Sequence, residues 1–323
     1  MDNLRLAHRH ARKGKGWQYA VKNFDRDAEE KLAVIRESLL EKAFHTSPYK
    51  TKFITEPKKR EIYILPFTPD RIVQHALMNV IEPIWEGLFI ADSYACRKGK
   101  GIHAGSRRTM EFIRKNDYVL KCDISKFYPS MAHDVLYDLV QRKIKCKDTL
   151  WLMRDIIYSV PDGKNVPIGN YTSQWFGNLY LNELDQMLKH QYKVKHYLRY
   201  CDDFLLFHND KGFLNEMKAV ISEFAAARLK LRLSKCELAP VTDGVDFLGY
   251  RHFRKYVLLR KSTARRLVKR LKLIPALYEK NRITSEYIRS SIASAKGWLQ
   301  WANTKNLRLS LQIGAMTEAY GKA

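Results

Sequence analysis

Two adjacent aspartates stand between two short apolar, aromatic segments, and this arrangement restricts the fold more than any other feature of the sequence. Asp202 and Asp203 separate residues 197–200 (YLRY) from residues 204–207 (FLLF). The pattern predicts a β-hairpin with two carboxylates at its tip. Such carboxylates repel each other and are costly to desolvate, so a plain turn would favour Asp-Gly or Asn-Gly. The pair indicates a divalent-cation site, although a lone Asp-Asp is more often only a turn.

A third carboxylate strengthens this interpretation. Asp123 ends another apolar segment, residues 118–122 (YVLKC), and the aromatic residues Phe127 and Tyr128 follow it. Polymerases hold two metal ions about 3.5–4 Å apart, and this requires carboxylates from separate strand ends. Asp123 and Asp202 would supply them if their strands are neighbours in one sheet.

Charge and cysteine content limit the partners and the compartment. The 323 residues include 58 Lys and Arg against 34 Asp and Glu, a net charge of +24, and 46% are hydrophobic. A nucleic acid is the first candidate for neutralising this excess of positive charge. An acidic membrane surface is a weaker candidate, because no basic amphipathic helix stands out. The five cysteines are scattered without a CxxC pair, which favours reduced thiols over disulfides or structural zinc. No apolar leader or bilayer-length run is present, so a cytoplasmic protein is expected.

Periodicity along the chain predicts a mixed α+β fold. The basic, His- and Gly-rich residues 1–23 are expected to form an arm or loop, and a helix is expected over about 27–44. A basic loop, residues 57–60, lies between two short alternating segments and predicts a β-hairpin. Further helices are predicted from Pro69 and over 131–143, 148–159, 173–190, 213–228 and from 262 onward, with strands over 118–122, 196–201, 204–208 and 245–250.

Five segments, taken in order, resemble the motifs of the reverse transcriptase family over about residues 50–260. Five ordered motifs are a specific signal, whereas a YxDD box alone would be weak. They are residues 121–128 (KCDISKFY, first palm motif), 168–174 (IGNYTSQ, template-gripping motif), 200–203 (YCDD), 231–235 (LRLSK) and 247–250 (FLGY, primer-grip hairpin).

One segment also suggests a subfamily. Retron and group II intron enzymes typically carry QGxxxSP where residues 168–174 read IGNYTSQ, and the latter resembles the reverse transcriptases of diversity-generating retroelements. Residues 70–77 (DRIVQHAL), 94–97 (YACR) and 298–302 (WLQWA) resemble the same subfamily. The chain has the size of that minimal enzyme, and no endonuclease or additional DNA-binding domain is expected.

The resemblance implies a right-hand polymerase fold and a function. Fingers are expected over residues 1–115, a palm over 116–255 with an antiparallel sheet and helices on one face, and a helical thumb over 256–323. The enzyme would extend a cDNA primer with dNTPs on a template-repeat RNA, with errors at template adenines. A small basic accessory protein that forms a pentamer is the implied partner, and a bacterium or phage the implied source. A retron-type or phage-defence enzyme with the same chemistry, or a non-catalytic RNA-binding module, are the alternatives.

The resemblance also assigns residues to the reaction. Two Mg²⁺ ions, for which Mn²⁺ can substitute, would be held by Asp123, Ile124, Asp202 and Asp203. Lys235 would protonate the leaving pyrophosphate, unless it is only a solvated lysine.

Other residues are assigned to the nucleotide and the nucleic acid. The aromatic ring of Tyr128 would exclude a ribose 2′-hydroxyl. Lys58 and Arg60 would bind the triphosphate, although basic loops are often only solvated. The remaining dNTP-site residues are Ile168 and Gly169. The residues expected to contact template or primer are Arg97, Ser173, Gln174, Gly249 and Tyr250. For Arg97 the alternative is a surface ion pair.

Overall fold

Residues 1–55 and 59–321 are described in a computed structural model of the chain, and they form helices around antiparallel sheets. The strands are β1 (Lys50–Ile54), β2 (Arg60–Ile64), β3 (Tyr118–Ile124), β4 (His196–Tyr200), β5 (Asp203–His208), β6 (Leu233–Pro240), β7 (Val245–Phe247), β8 (Tyr250–His252) and β9 (Val257–Leu259). The α-helices are α1 (Asp2–Arg12), α2 (Tyr19–Arg26), α3 (Ala28–Leu40), α4 (Ile72–Glu86), α5 (Ile102–Lys115), α6 (Phe127–Ser130), α7 (His133–Lys143), α8 (Lys147–Ile157), α9 (Tyr171–Gln186), α10 (Lys211–Leu229), α11 (Lys261–Glu279), α12 (Ser285–Leu299), α13 (Lys305–Ser310) and α14 (Ile313–Gly321).

The largest sheet has the strand order β4-β5-β3-β6, and each neighbouring pair is antiparallel. The predicted hairpin is present as β4 and β5, with Tyr200 paired to Asp203 across its tip. β3 lies between β5 and β6, so the sheet joins the two sequence-distant carboxylate segments as the sequence predicts. β6 itself was not predicted, because buried and exposed residues alternate only weakly along it and half of its residues are exposed.

The two faces of this sheet are covered differently. Because side chains alternate along a strand, residues in register divide into two sets. The first face packs on α9 and α10 in the main core through Leu120, Cys122, Phe204 and Leu206. The second face packs on α5 through Val119, Leu198, Leu205 and Phe207. Besides the expected helices on the first face, α5 lies on the second, since β5 is apolar on both sides.

The expected N-terminal arm over residues 1–23 is wrong, because α1 and α2 occupy most of this segment. Leu4, Ala7 and Ala11 are buried at helical spacing, and α1 packs on α4. The apolar stripe is narrow and consists mainly of alanines, so the surrounding arginines and histidines dominate the local composition.

The predicted basic hairpin is formed by β1 and β2, which pair from Lys50–Ile64 to Ile54–Arg60. At the other end of the chain, α11 to α14 enclose a hydrophobic core of their own. The small sheet β7-β8-β9 lies between this helical part and the largest sheet, and Tyr250 on β8 packs on Trp298 of α12. Domain boundaries near residues 115 and 255 stay predictions.

Across the described ranges, every helix is too short or too polar to cross a lipid bilayer.

Candidate active site

Three carboxylates meet at one end of the largest sheet. Asp123 lies near the end of β3, Asp202 lies in the two-residue turn between β4 and β5, and Asp203 begins β5. By register, Asp123 and Asp203 belong to the second face of the sheet. α5 covers that face further along the strands, and the three aspartates are only partly buried. The acidic end of the face is therefore accessible to a substrate.

The electrostatics of Asp202 reflect this crowding. Burial raises the pKa of its carboxyl from 3.8 to about 6, and the like charges of Asp123 and Asp203 add to the shift. Arg60, at the start of β2, acts in the opposite direction. The hairpin of β1 and β2, called the fingers hairpin below, therefore brings the Arg60 guanidinium within electrostatic reach of Asp202. Asp123 is held separately, since its Oδ2 accepts a hydrogen bond from the hydroxyl of Ser234 at 2.6 Å.

This group of carboxylates fits a divalent cation chemically. A cation that takes carboxylate oxygens removes both the repulsion and the cost of burying the charge on Asp202. As they stand, no three His, Cys, Asp or Glu side chains of the described residues are arranged to hold a metal ion.

Tyr128 lies beside this group of carboxylates, one turn after β3. Burial raises the pKa of the phenol well above its usual range, and the nearby negative charge of Asp202 adds to the shift. Gly177 of α9 allows this position, because a Cβ there would lie 3.3 Å from the Tyr128 hydroxyl oxygen. The ring is thus held between α9 and the turn that carries Asp202, called the acidic turn below. A tyrosine that excludes a sugar 2′-hydroxyl is expected at such a position.

The loop before α9 contacts the fingers hairpin directly. The amide of Tyr63 on β2 donates to the carbonyl of Ile168 at 2.9 Å. Gly169 has φ +131°, and a Cβ there would lie only 2.2 Å from the Tyr63 carbonyl oxygen. Only glycine fits this position, so the backbone approach depends on its missing side chain.

Lys235 is a cross-strand neighbour of Asp123. The two residues pair between β6 and β3, so their side chains share one face of the sheet. The Lys235 side chain is largely exposed, and its Nζ lies 3.9 Å from Glu237. Lys58 lies outside the described residues.

Three residues expected to contact template or primer have side chains directed inward, and their assignments stay predictions. The side chain of Arg97 is 5% exposed, pairs with Glu86 and donates to the carbonyls of Ile90 and Ser93, so it forms an ion pair that is buried and not on the surface. Ser173 is buried and donates to the Pro167 carbonyl at 2.7 Å. Tyr250 is fully buried, and its hydroxyl contacts His103 and Trp298.

The two other template and primer candidates differ from each other. Gln174 is exposed on α9. A Cβ at Gly249 would meet the Trp298 ring at 2.8 Å, so this glycine packs the small sheet against α12.

The sequence did not predict a buried network of hydrogen-bonded side chains that contacts the acidic turn. Arg199 on β4 and Asp185 on α9 are both fully buried and form a bidentate ion pair. Asn178 lies two turns before Asp185 on α9, and its side-chain oxygen accepts a hydrogen bond from Arg199. The one sequence signal for this network is an arginine in a largely apolar strand. Without knowledge of its partner, such an arginine would be predicted to be exposed.

Comparison with known proteins places the chain in a family. The family model described as Reverse transcriptase (RNA-dependent DNA polymerase) matches residues 56–252. Protein YkfC of Escherichia coli (strain K12) is 27% identical over 69% of this chain and 71% of its own length. The group II intron-encoded protein LtrA of Lactococcus lactis subsp. cremoris is 25% identical over 52% of this chain, but the match spans only 30% of LtrA.

Solved structures share the fold at low sequence identity. Telomerase from Candida albicans, in complex with a fragment of telomeric RNA, aligns with a TM-score of 0.54 and 12% identity. The alignment covers 86% of this chain and 55% of that one. Apo telomerase from Candida tropicalis, truncated from its C-terminal domain, aligns with a TM-score of 0.52, 13% identity and coverage of 67% and 56%.

These likenesses confirm the predicted α+β right-hand fold. The match to the family model spans more than half of the chain and includes Asp123, Asp202 and Asp203. The chain therefore belongs to the reverse transcriptase family and carries an RNA-directed DNA polymerase domain.

Proposed function

We propose that this chain is the reverse transcriptase of a diversity-generating retroelement, which copies a template-repeat RNA into cDNA with frequent errors at template adenines. The observation that carries the proposal is Ile168. It occupies the place where intron and retron enzymes typically carry glutamine, and its backbone carbonyl accepts a hydrogen bond from Tyr63 on the fingers hairpin. The group II intron relatives support the polymerase chemistry and leave the choice of template to experiment.

The acidic residues supply the metal site in this proposal. Two Mg²⁺ ions, when bound by Asp123, Asp202, Asp203 and Ile124, would activate the primer 3′-hydroxyl and stabilise the leaving pyrophosphate. The raised pKa of Asp202 supports this assignment, because it marks a carboxylate whose charge the protein alone does not compensate.

The remaining residues hold the nucleotide and move a proton. Arg60 suits bidentate contact with the triphosphate, and its influence on the pKa of Asp202 supports a place near the same site. The ring of Tyr128, backed by α9 at Gly177, would close the space at the sugar 2′ position. Lys235, on the same face as Asp123, would donate a proton to the leaving pyrophosphate.

Ile168 explains loosened selection of the incoming base. Glutamine can donate and accept hydrogen bonds, so it can help hold a nucleotide in the geometry of a correct pair. Isoleucine offers only shape contact, and an apolar wall separates near-isosteres by only about 1–3 kcal/mol. Errors should therefore be frequent.

The test is the error spectrum on an RNA template that contains all four bases. We expect errors concentrated at adenine in the wild type and reduced by Ile168→Gln. Ile168→Leu is the matched control, because it keeps the apolar contact and should keep the errors. An evenly low error rate in the wild type would contradict the subfamily assignment and favour a faithful retron-type or phage-defence enzyme.

We also propose a small basic accessory protein as a partner, one that forms a pentamer and helps engage the template RNA. The support is the subfamily resemblance of residues 168–174. Pull-down from the native host with the tagged chain, followed by primer extension with and without the captured protein, tests it. Long, correctly primed cDNA from the chain alone, with nothing captured, would contradict this partner.

A further inference from the structure

Arg199 is a charged side chain placed where the interior normally excludes charge. Its side chain is 0% exposed, as is that of Asp185, its partner. Burying an ion pair costs desolvation that only well-formed contacts offset, and an apolar pair of similar volume would often be at least as stable. Stability alone therefore does not explain an arginine at this position. The other contacts of Arg199 indicate what else it does.

Part of the guanidinium is used for the pair itself. Nε donates to both carboxylate oxygens of Asp185 at 2.8 and 3.0 Å, and Nη2 donates to Oδ2 at 2.6 Å. Tyr197 on the same strand donates its hydroxyl to Asp185 Oδ1 at 2.6 Å. These bonds fix the guanidinium plane against α9.

The remaining nitrogen reaches the acidic turn. Nη1 donates to the carbonyl of Cys201 at 3.0 Å and to Oδ1 of Asn178 at 3.2 Å. Cys201 has φ +53°, a left-handed conformation that is strained for a residue with a Cβ. Its carbonyl belongs to the peptide unit that carries the amide of Asp202. Holding that carbonyl therefore fixes the peptide plane from which the Asp202 side chain departs.

The same strand position is tied to a third segment. The amide of Arg199 donates to the Asp92 carbonyl, and the amide of Tyr94 donates to the Arg199 carbonyl, both at 2.9 Å. Asn178 donates to the Ala95 carbonyl at 2.9 Å. Helix α9 and the acidic turn are thus bound by the side chain of Arg199, and residues 92–95 are bound by its backbone and by Asn178.

We infer that Arg199, locked by Asp185, is a positioning residue that holds the Cys201–Asp202 peptide in its strained conformation and so presents the Asp202 carboxylate for metal binding. The inference rests on the proposed metal site. Without this tether, repulsion from Asp123 and Asp203 would move the Asp202 carboxylate away from its neighbours.

The main test replaces both charges at once with apolar residues, in the variant Arg199→Met/Asp185→Leu. This removes the tether without leaving an unpaired buried charge, so folding is preserved where a single substitution could abolish it. Arg199→Lys is the second variant, because a lysine can pair with Asp185 but lacks the fork that also reaches Cys201. Tyr197→Phe is the matched control, since it removes one buried hydrogen bond to Asp185 and leaves the tether in place.

Two readouts separate positioning from packing. Mn²⁺ binding to the full chain is followed by electron paramagnetic resonance, and primer extension on RNA is measured as a function of Mg²⁺ concentration. For both Arg199 variants we expect metal affinity to fall at least 5-fold and kcat to fall 10- to 100-fold, with KM for dNTP and RNA affinity within 2-fold. Tyr197→Phe should lower only the melting temperature.

Two other results would contradict the positioning role of Arg199, and a third would contradict the proposed function. A folded double variant with wild-type Mn²⁺ affinity and Mg²⁺ dependence would show that the network only packs the core. A Tyr197→Phe variant with the same metal defect as the Arg199 variants would show a general loss of rigidity instead of a tether. A wild-type chain without primer extension would contradict the proposed function, which is a separate outcome.

Discussion

Burial holds the pKa of Asp202 at about 6, and this has a measurable consequence for stability. Because the folded-state pKa lies above that of the unfolded chain, the folded state binds more protons between about pH 4 and 6. The free energy of unfolding therefore falls as pH rises through this window, and the penalty is complete above pH 6. We predict that Asp202→Asn raises metal-free stability at pH 8 by about 2 kcal/mol.

Urea unfolding in EDTA at pH 8 and pH 5 measures this effect. The gain of the variant should shrink at the lower pH, and Mg²⁺ should stabilise the wild type alone. An Asp202→Asn variant that is less stable than wild type at pH 8, or equally stabilised by Mg²⁺, would contradict the assigned role.

Tyr128 gives a second prediction for a single residue. The ring is held between α9 and the acidic turn, so Tyr128→Ala should open space for a 2′-hydroxyl and increase ribonucleotide incorporation about 10-fold or more. The ratio of kcat/KM for dNTP over rNTP measures the change. Tyr137→Ala, a partly buried tyrosine on α7 outside the site, is the control that should leave the ratio unchanged. Unaltered discrimination in Tyr128→Ala would place the sugar gate elsewhere.

At this scale the sequence predicts charge clusters better than the direction of single side chains. Asp123, Asp202 and Asp203 were found because carboxylates at strand ends conflict with burial. The inward direction of Arg97 and Tyr250 was not predicted, because the partners that bury them, Glu86 and Trp298, lie in other elements and leave no local pattern.

At the scale of elements, the contact between the loop before α9 and strand β2 joins the fingers to the palm. It depends on Gly169, whose position leaves no room for a Cβ against the Tyr63 carbonyl. We predict that Gly169→Ala costs about 2–3 kcal/mol and weakens dNTP binding, because β2 carries Arg60 and must shift. Thermal unfolding and KM for dNTP measure the two effects.

Gly99→Ala is the matched control for this prediction. Gly99 also has a positive φ, +72°, but nothing lies within 4 Å of the position of its Cβ. Its substitution adds backbone strain alone, so it should cost about 1 kcal/mol and leave dNTP binding unchanged. Equal behaviour of the two variants would show that the loop contact is unimportant.

Elements with strong apolar periodicity were predicted well, as β4 and β5 show, while narrow or polar patterns were not. α1 was missed because alanines form its buried stripe. β6 was missed because it pairs only with β3 and exposes much of its length. In both cases tertiary contacts, and not local preference, decide the structure.

At the scale of the whole molecule, a net charge of +24 predicts strongly salt-dependent RNA binding. If about six or more phosphates are contacted, affinity should fall roughly 1000-fold between 50 and 200 mM salt. Fluorescence anisotropy with labelled template RNA measures the slope. Lys269→Ala, on the exposed basic side of α11, should lower that slope by about one. A salt-independent affinity would contradict phosphate-dominated binding.

The central claim is that Asp123 and Asp202 form the metal site of an RNA-directed DNA polymerase. The most direct measurement is extension of a DNA primer on an RNA template with Mg²⁺ and dNTPs, using wild type, Asp123→Asn and Asp202→Asn, with RNA affinity measured in parallel. We predict robust extension by the wild type and at least a 1000-fold loss in both variants, with RNA affinity within a few-fold because only a metal ligand is lost. Near-wild-type extension by either variant would contradict the account.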